Sequence, residues 1–380
     1  MGFVVAFERG QDSGMTAAPR TFLFLSGRAH RALDPEARRA SGGAELQVAL
    51  LALELVQRGH RVSIAAADDG FTDGVEWKGV RIRACGRFDT GGLGDTANAL
   101  PAVWRVLREE KPDFVVIYGW TSWLALMCLL RGACGFRVVF ICALDGEIDG
   151  RFLRENPVRG RIFSWGMKAA DARFGITESQ AANFRKAGMQ CGVTRLLLQQ
   201  GPVISVADKD VDLLWVARCH QVKRPDLFLD LAERLPEARC RMICSPQDPV
   251  LWEATRARAC QMPGVEFLDG VPYREIQKHF DSAKVFVNTS SDEGVPNTFL
   301  HSGLGGTAIA SLSADPDGML QRFGAGFSAG GDFDHLVQGI QKLLGDPSSL
   351  DVASSGARQF VIQWHDNARN SEAFLEGLPS

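Results

Sequence analysis

"KVFVNTSSDEGVPNTFLHSGLGGTAIASL", residues 284–312, changes its period twice. Residues 284–290 read as a strand, with Val285, Phe286, Val287 and Thr289 supplying β-branched and aromatic side chains. The run ends in Ser-Ser-Asp-Glu, turns through Gly294-Val-Pro-Asn297 and enters an almost uncharged helix over 298–304. Glycines stop that helix, and 307–312 resumes as a strand. A strand, a crossover helix and a second strand imply neighbouring parallel strands. The order also places Glu293 at a strand's carboxyl end and at the mouth of a helix, with His301 eight positions further on.

The same rhythm extends outward. In the second half, strands are expected at 213–217, 239–244 and 265–269, with helices at 226–235, 249–260 and 273–280. In the first half, TFLFL (21–25) precedes a helix over 44–56, whose Val48, Leu51, Ala52, Leu55 and Val56 share one face. Strands follow from Arg61, at 114–118, at 138–142 and at 175–177, with a helix from Glu178. Residues 334–345 and 350–377 read as helices. QQGPVISVADKDVD (199–212) has no helical period and carries Gly201-Pro202, so the linker belongs there. A chain of 380 residues exceeds one ordinary core. The expected architecture is α/β, with parallel-sheet domains over 19–200 and 201–360. A C-terminal helix over 361–380 is expected to pack back toward the first domain. Residues 1–18 read as an extension, since Met15 also offers a start.

Composition excludes several classes. Nine scattered cysteines, with Cys240 and Cys244 the closest pair, give no metal-ligand spacing. Reduced thiols, a cytoplasmic setting and no metal are expected. The run 120–130 is too short to span a bilayer, and MGFVVAFERG lacks the basic start of a signal peptide. The net charge of −3 splits into +5 over residues 1–200 and −8 over the rest, so no nucleic-acid partner is expected. Segment 151–195 holds nine Lys/Arg (Arg151, Arg154, Arg159, Arg161, Lys168, Arg173, Arg185, Lys186 and Arg195) against three acids. That excess fits a peripheral contact with an anionic membrane, at the inner face if the setting is cytoplasmic.

Three constellations carry chemistry. Ser41-Gly42-Gly43-Ala44-Glu45 opens the first helix, where glycines allow close backbone approach and unpaired amides favour an anion. Arg218 and Lys223 follow strand 213–217, where a fork and a point charge suit a diphosphate. Arg224 is expected to face away. Glu293 follows strand 284–290, and the amides of Gly294, Val295 and Asn297 begin the next helix after Pro296. Gly92-Leu-Gly94-Asp-Thr-Ala97 matches a dinucleotide fingerprint but does not open the first strand–helix unit.

"GGAELQVALLALELVQRGHRVSI", "LLWVARCHQVKRPDLFLDLAERLP" and "VEFLDGVPYREIQKHFDSAKVFVNTSSDEGVPNTFLHSGLGGTAIA" together resemble a family 4 glycosyltransferase of the GT-B fold, over roughly residues 20–370. The resemblance implies two Rossmann-like domains facing each other across a cleft. It implies retaining transfer from a nucleotide diphosphate sugar to a glycan or lipid-linked acceptor, without a required metal, in polysaccharide or glycolipid synthesis. Gly42 and Gly43 would then lie against donor phosphates and acceptor, Arg218 and Lys223 would neutralise the diphosphate, and Glu293 would hold sugar hydroxyls without a charged partner. Base recognition would fall near Gly270-Val-Pro-Tyr273. Two positions depart from the family. His301 stands where the family carries a second Glu for the ribose, and no His follows strand 138–142. Asp145 is assigned a supporting catalytic role there, with Glu147 the other nearby acid. His301 is expected to face the Glu293 loop and to be neutral because of the helix N-terminus, contacting ribose or base. These departures leave open a non-catalytic nucleotide-sugar-binding protein of the same fold. A glycosidase or epimerase would need a pair of acids at neighbouring strand ends, and none is visible.

Overall fold

The computed structural model describes residues 18–34, 42–86, 93–198, 209–272 and 275–379. The expected domain junction at 200/201 lies outside the described residues, as do Gly92, Tyr273 and Ser41.

The first unit runs β1 (Thr21–Leu25), α1 (Gly43–Gln57), β2 (Arg61–Ala66), β3 (Glu76–Trp77), β4 (Val80–Ala84), α2 (Leu93–Glu110), β5 (Phe114–Tyr118) and α3 (Trp123–Cys134). It continues with β6 (Arg137–Ile141), α4 (Arg151–Glu155), α5 (Pro157–Ala169), β7 (Ala172–Gly175), α6 (Glu178–Lys186) and β8 (Gly192–Val193). The second unit runs β9 (Val211–Arg218), α7 (Pro225–Arg234), β10 (Cys240–Ser245), α8 (Pro249–Ala259), β11 (Val265–Leu268), α9 (Ile276–Asp281) and β12 (Ala283–Asn288). After it come α10 (Asn297–Gly305), β13 (Ala308–Ser311), α11 (Met319–Phe323), β14 (Gly326–Ser328), α12 (Phe333–Gly345), α13 (Pro347–Trp364) and α14 (Asn367–Glu376).

Two sheets result, in the orders β3-β4-β2-β1-β5-β6-β7-β8 and β11-β10-β9-β12-β13-β14. Every pairing is parallel except the β3–β4 hairpin. The fold is thus α/β with two Rossmann-like sheets. In each, the chain order reverses beside its first strand, at β1/β5 and at β9/β12, and open α/β sheets bind ligands at such points. Each sheet has a private core on one face: Leu23, Val115 and Phe140 with α2, α3 and α5 in the first unit, Leu213, Trp215 and Val285 with α7 and α12 in the second. A third apolar cluster runs through both, from Phe22 and Val116 to Leu214 and Phe286.

The expected helix 350–377 is two helices. α13 ends at Trp364, His365 Nδ1 donates to Leu196 O (2.8 Å), and Asp366 caps α14 by accepting from the Arg369 amide. α13 packs on α10, where an added Cβ at Gly303 would meet Ala357 O at 2.6 Å. α14 instead covers the first sheet. The Phe374 ring lies 5.0 Å from Phe174 and 6.4 Å from Phe22, Arg58 Nε donates to Ser371 Oγ (2.9 Å), and Asn367 Nδ2 donates to Glu54 (3.0 Å). The hairpin β3–β4 was not anticipated. Its Arg83 is buried, which alternation alone does not suggest, and Asp73, Glu109 and Glu110 surround its guanidinium.

Phe374→Ala is expected to cost about 3–5 kcal/mol, the usual price of emptying a buried aromatic site. A fall in the urea midpoint, with earlier proteolysis behind Trp364, checks it; an unchanged midpoint would show that α14 does not seal the first unit.

Candidate active site

Strand β9 ends at Arg218, which is exposed and has no ion pair among the described residues. The chain then makes a 3-10 turn, Gln221–Lys223, stitched to the loop after β12. Ser291 N donates to Val222 O (2.9 Å), and Thr289 Oγ donates to Lys223 O (2.7 Å) while accepting from Trp215 Nε1 (2.9 Å). The stitching brings Lys223 Nζ to 2.5 Å from Glu293 Oε1. Glu293 therefore has a charged partner, contrary to expectation, because adjacent strands at the reversal point carry both loops. Arg224 turns to Asp226 (3.0 Å) in a left-handed conformation and faces away from the pair.

α10 begins after Pro296 with no side-chain cap on its first-turn amides, and α1 begins after Gly42 in the same way. The two starts meet. A Cβ at Gly43 would lie 2.5 Å from Asn297 Nδ2, and Gln47 of α1 donates to Asn297 Oδ1 (2.7 Å). Gln47 is buried and held by both the amide and the carbonyl of Leu197. Gly42 is covered by Glu45, whose Oε2 would sit 2.2 Å from an added Cβ. Gly294 lies against Ala143 O, 2.4 Å from its own hypothetical Cβ, so no other residue fits without moving a strand-end loop. Val295 is partly buried on the shared core.

That strand-end loop is ordered by a residue outside the expected set. Glu147 is 8% exposed; one carboxylate oxygen accepts from Trp120 N and the other from Ala143 N, each at 2.9 Å. It thereby fixes the turns after β5 and β6 together. Burial pushes its carboxyl up to about 7, against the lowering effect of the amides. Asp145, the expected supporting acid, accepts from Gln180 Nε2 (3.0 Å) and stands two residues from Ala143.

His301 faces elsewhere than expected. Its ring is buried, stacked on Phe280 of α9 (5.3 Å) and hydrogen-bonded through Nδ1 to Gln277 (2.8 Å). It is turned to α9, not to the Glu293 loop. Burial lowers its pKa to about 4, so the ring is neutral at pH 7, from desolvation instead of the helix N-terminus. Behind α10, the buried Lys209 ammonium donates to Gly305 O (2.9 Å), Asp281 O (3.2 Å) and Thr307 Oγ (3.0 Å), tying the far ends of α9 and α10 together.

Further contacts cross the cleft. Arg151 bridges Asp149 of its own unit and Asp292 of the other (2.6 and 3.0 Å). Asp317, with φ of +54°, accepts from the amides of Glu178 and Ser179 (2.9 and 3.0 Å) and so caps α6 from the opposite unit. Arg195 lies beside Asp317 (3.4 Å) and over the Trp364 ring (3.9 Å). Among the described residues no group of acids, histidines and cysteines is arranged to hold a metal.

Two Rossmann-like sheets meeting at their strand carboxyl ends, with cations, a carboxylate and two helix starts between them, define a GT-B arrangement. The chain belongs to the glycosyltransferases: residues 42–197 match the "Glycosyl transferase 4-like domain" and 210–346 the "Glycosyl transferases group 1" domain. Solved structures agree on the fold. Sucrose-phosphate synthase from Thermosynechococcus elongatus superposes with a TM-score of 0.77 at 15% identity, covering 94% of this chain and 98% of that one. Anabaena HepE in complex with UDP gives 0.70 at 15%, covering 94% and 98%. WaaG, a glycosyltransferase involved in lipopolysaccharide biosynthesis, gives 0.67 at 14%, covering 94% and 100%. No curated protein matches the sequence.

Glu147 generates a pH prediction. Its carboxyl is raised in the fold, from an ordinary 4.5 to about 7, so the folded state holds more protons between those values. Its contribution to stability is therefore full below about pH 4.5 and lost as pH rises through 7, on the order of 3 kcal/mol. Glu147→Gln should flatten the decline in melting temperature over that window. An identical slope in wild type and variant would remove Glu147 as its source.

Proposed function

We propose that the chain moves a sugar from a nucleotide diphosphate donor to a glycan or lipid-linked acceptor, with retention of configuration. The Lys223–Glu293 pair beside the joined starts of α1 and α10 carries this reading. Arg218, Lys223 and the amides of Gly294, Val295 and Asn297 would take the diphosphate. Gly42 and Gly43 would lie against it once the Glu45 carboxylate that covers Gly42 swings aside, with Asn297 bridging to Gln47. Glu293 would accept from the donor sugar's hydroxyls, and Asp145 would support the reacting centre from the acceptor side. Negative charge grows on the departing diphosphate, and these fixed cations and dipoles stabilise it as it grows. That complement of positive charge supports transfer without a metal. HepE was solved with UDP, which favours a uridine donor as the first to test. WaaG's part in lipopolysaccharide synthesis supports a polysaccharide or glycolipid pathway. Nine free thiols support a cytoplasmic setting. The ribose is not assigned to His301, whose ring is engaged with Gln277. The absence of a second Glu at that position favours, as the second reading, a protein that binds the donor without turning it over.

A thermal-shift panel of UDP, GDP and ADP, each with its glucose conjugate, separates donor classes, and nucleoside diphosphate release separates transfer from binding. Glu293→Ala should lower release by a factor of roughly 30 to 1,000, equal to about 2–4 kcal/mol, with the melting curve retained. Full turnover in a folded variant would end the assignment. Arg218→Ala should weaken the nucleoside diphosphate, by calorimetry, far more than the nucleoside; equal losses for both would place Arg218 away from the phosphates.

A further inference from the structure

α5 is apolar on two faces. Gly160, Phe163, Gly166 and Met167 are buried, with Gly166 so close to α3 that an added Cβ would lie 2.8 Å from Ala125 N. On the other face Val158, Ile162 and Trp165 are 69%, 39% and 47% exposed. Spaced four and then three residues apart, they form one stripe along the helix. Leu129, one turn beyond Ala125 on α3, is exposed, and so is Leu153 of α4. Leu153 packs by its backbone on Gly160, so the two helices are in contact. Isolated apolar residues on a surface need no explanation, but a stripe with exposed neighbours on two adjoining helices does.

The charges beside the stripe are of one sign. Arg154, Arg161 and Lys168 are exposed and have no ion pair among the described residues, and Glu155 is the sole acid between residues 150 and 170. Other arginines of the same unit are neutralised: Arg81 by Glu76, Arg83 by Asp73, Arg105 by Asp73 and Arg131 by Asp171. Unpaired cations thus gather where apolar side chains are exposed. A second copy of the chain would bring cations against cations across a two-fold axis, which opposes self-pairing. An anionic leaflet meets both features, taking apolar side chains into its interface and cations at its headgroups. The patch also reaches the cleft, since α4 begins at Arg151, which spans to Asp292.

We propose that the face formed by α3, α4 and α5 seats the protein on an anionic lipid leaflet, with Ile162 and Trp165 in the interface and Arg154, Arg161 and Lys168 at the headgroups. Resting on the transferase reading, the cleft mouth is then presented to an acceptor carried in that leaflet. The test uses the full chain and vesicles of phosphatidylcholine, alone or with about 30 mol% phosphatidylglycerol. Co-sedimentation is expected with the anionic vesicles only, and should fall as salt rises. Arg161→Glu with Lys168→Glu, and separately Ile162→Ser with Trp165→Ser, should each weaken it by about tenfold or more. The melting curve should stay that of the wild type in both variants, showing that they fold. No binding by the wild type, equal binding to neutral vesicles, or binding unchanged in the variants overturns the proposal. So does a dimer that Ile162→Ser with Trp165→Ser dissolves while vesicles are ignored. Vesicle binding without turnover of any nucleotide sugar would strike the transferase reading and leave the docking face standing.

Discussion

Two helices are aimed at one point from opposite sides. α1 and α10 start without side-chain caps, and Gly43 of one touches Asn297 of the other. Each start carries about half a positive charge, so bringing them together is unfavourable unless an anion or the stabilisation from other contacts offsets it. Much of the remaining structure serves that arrangement. Gln47 anchors the α1 side to Leu197 and reaches over to Asn297, while Lys209 and α13 hold α10 from behind. Gly43 and Gly294 are glycines because the approach is close, not because their backbone is unusual.

The carboxylates around this point are used in three ways. Glu293 is paired with Lys223 and still part-exposed, an acid that can exchange its cation for a ligand's hydroxyls. Glu147 is buried and spends both oxygens on backbone amides, holding the turns whose carbonyl touches Gly294. Asp317 reaches from the second unit to cap a helix of the first. The first stands part-exposed between the units; the other two hold backbone amides and set the geometry around it.

The division of legible from illegible follows from range. Strands 114–118, 138–142 and 213–217 showed in the sequence because parallel strands buried on both faces read as unbroken apolar runs, and 284–290 through its Val285-Phe286-Val287 centre. Arg218, Lys223 and Glu293 showed because residues just past such strands lie at the ligand end of the sheet. The β3–β4 hairpin did not, since burying Arg83 requires acids from residues 73, 109 and 110. Glu147 and Asp317 did not, because their partners are backbone amides that only the tertiary fold supplies. The facing of His301 was misjudged because a helical position fixes a side but not the neighbour that fills it, here Phe280 and Gln277.

The last helix of the chain has a consequence for synthesis. Phe374 completes a cluster with Phe22 and Phe174, so part of the first sheet's face beside α1 lacks its cover until the second unit has been made. Domains usually fold in the order in which they emerge from the ribosome. Here the first unit has to wait, with aromatic surface open to water and to chaperones, while the second unit is still being translated. The two halves are separate in topology and inseparable in time.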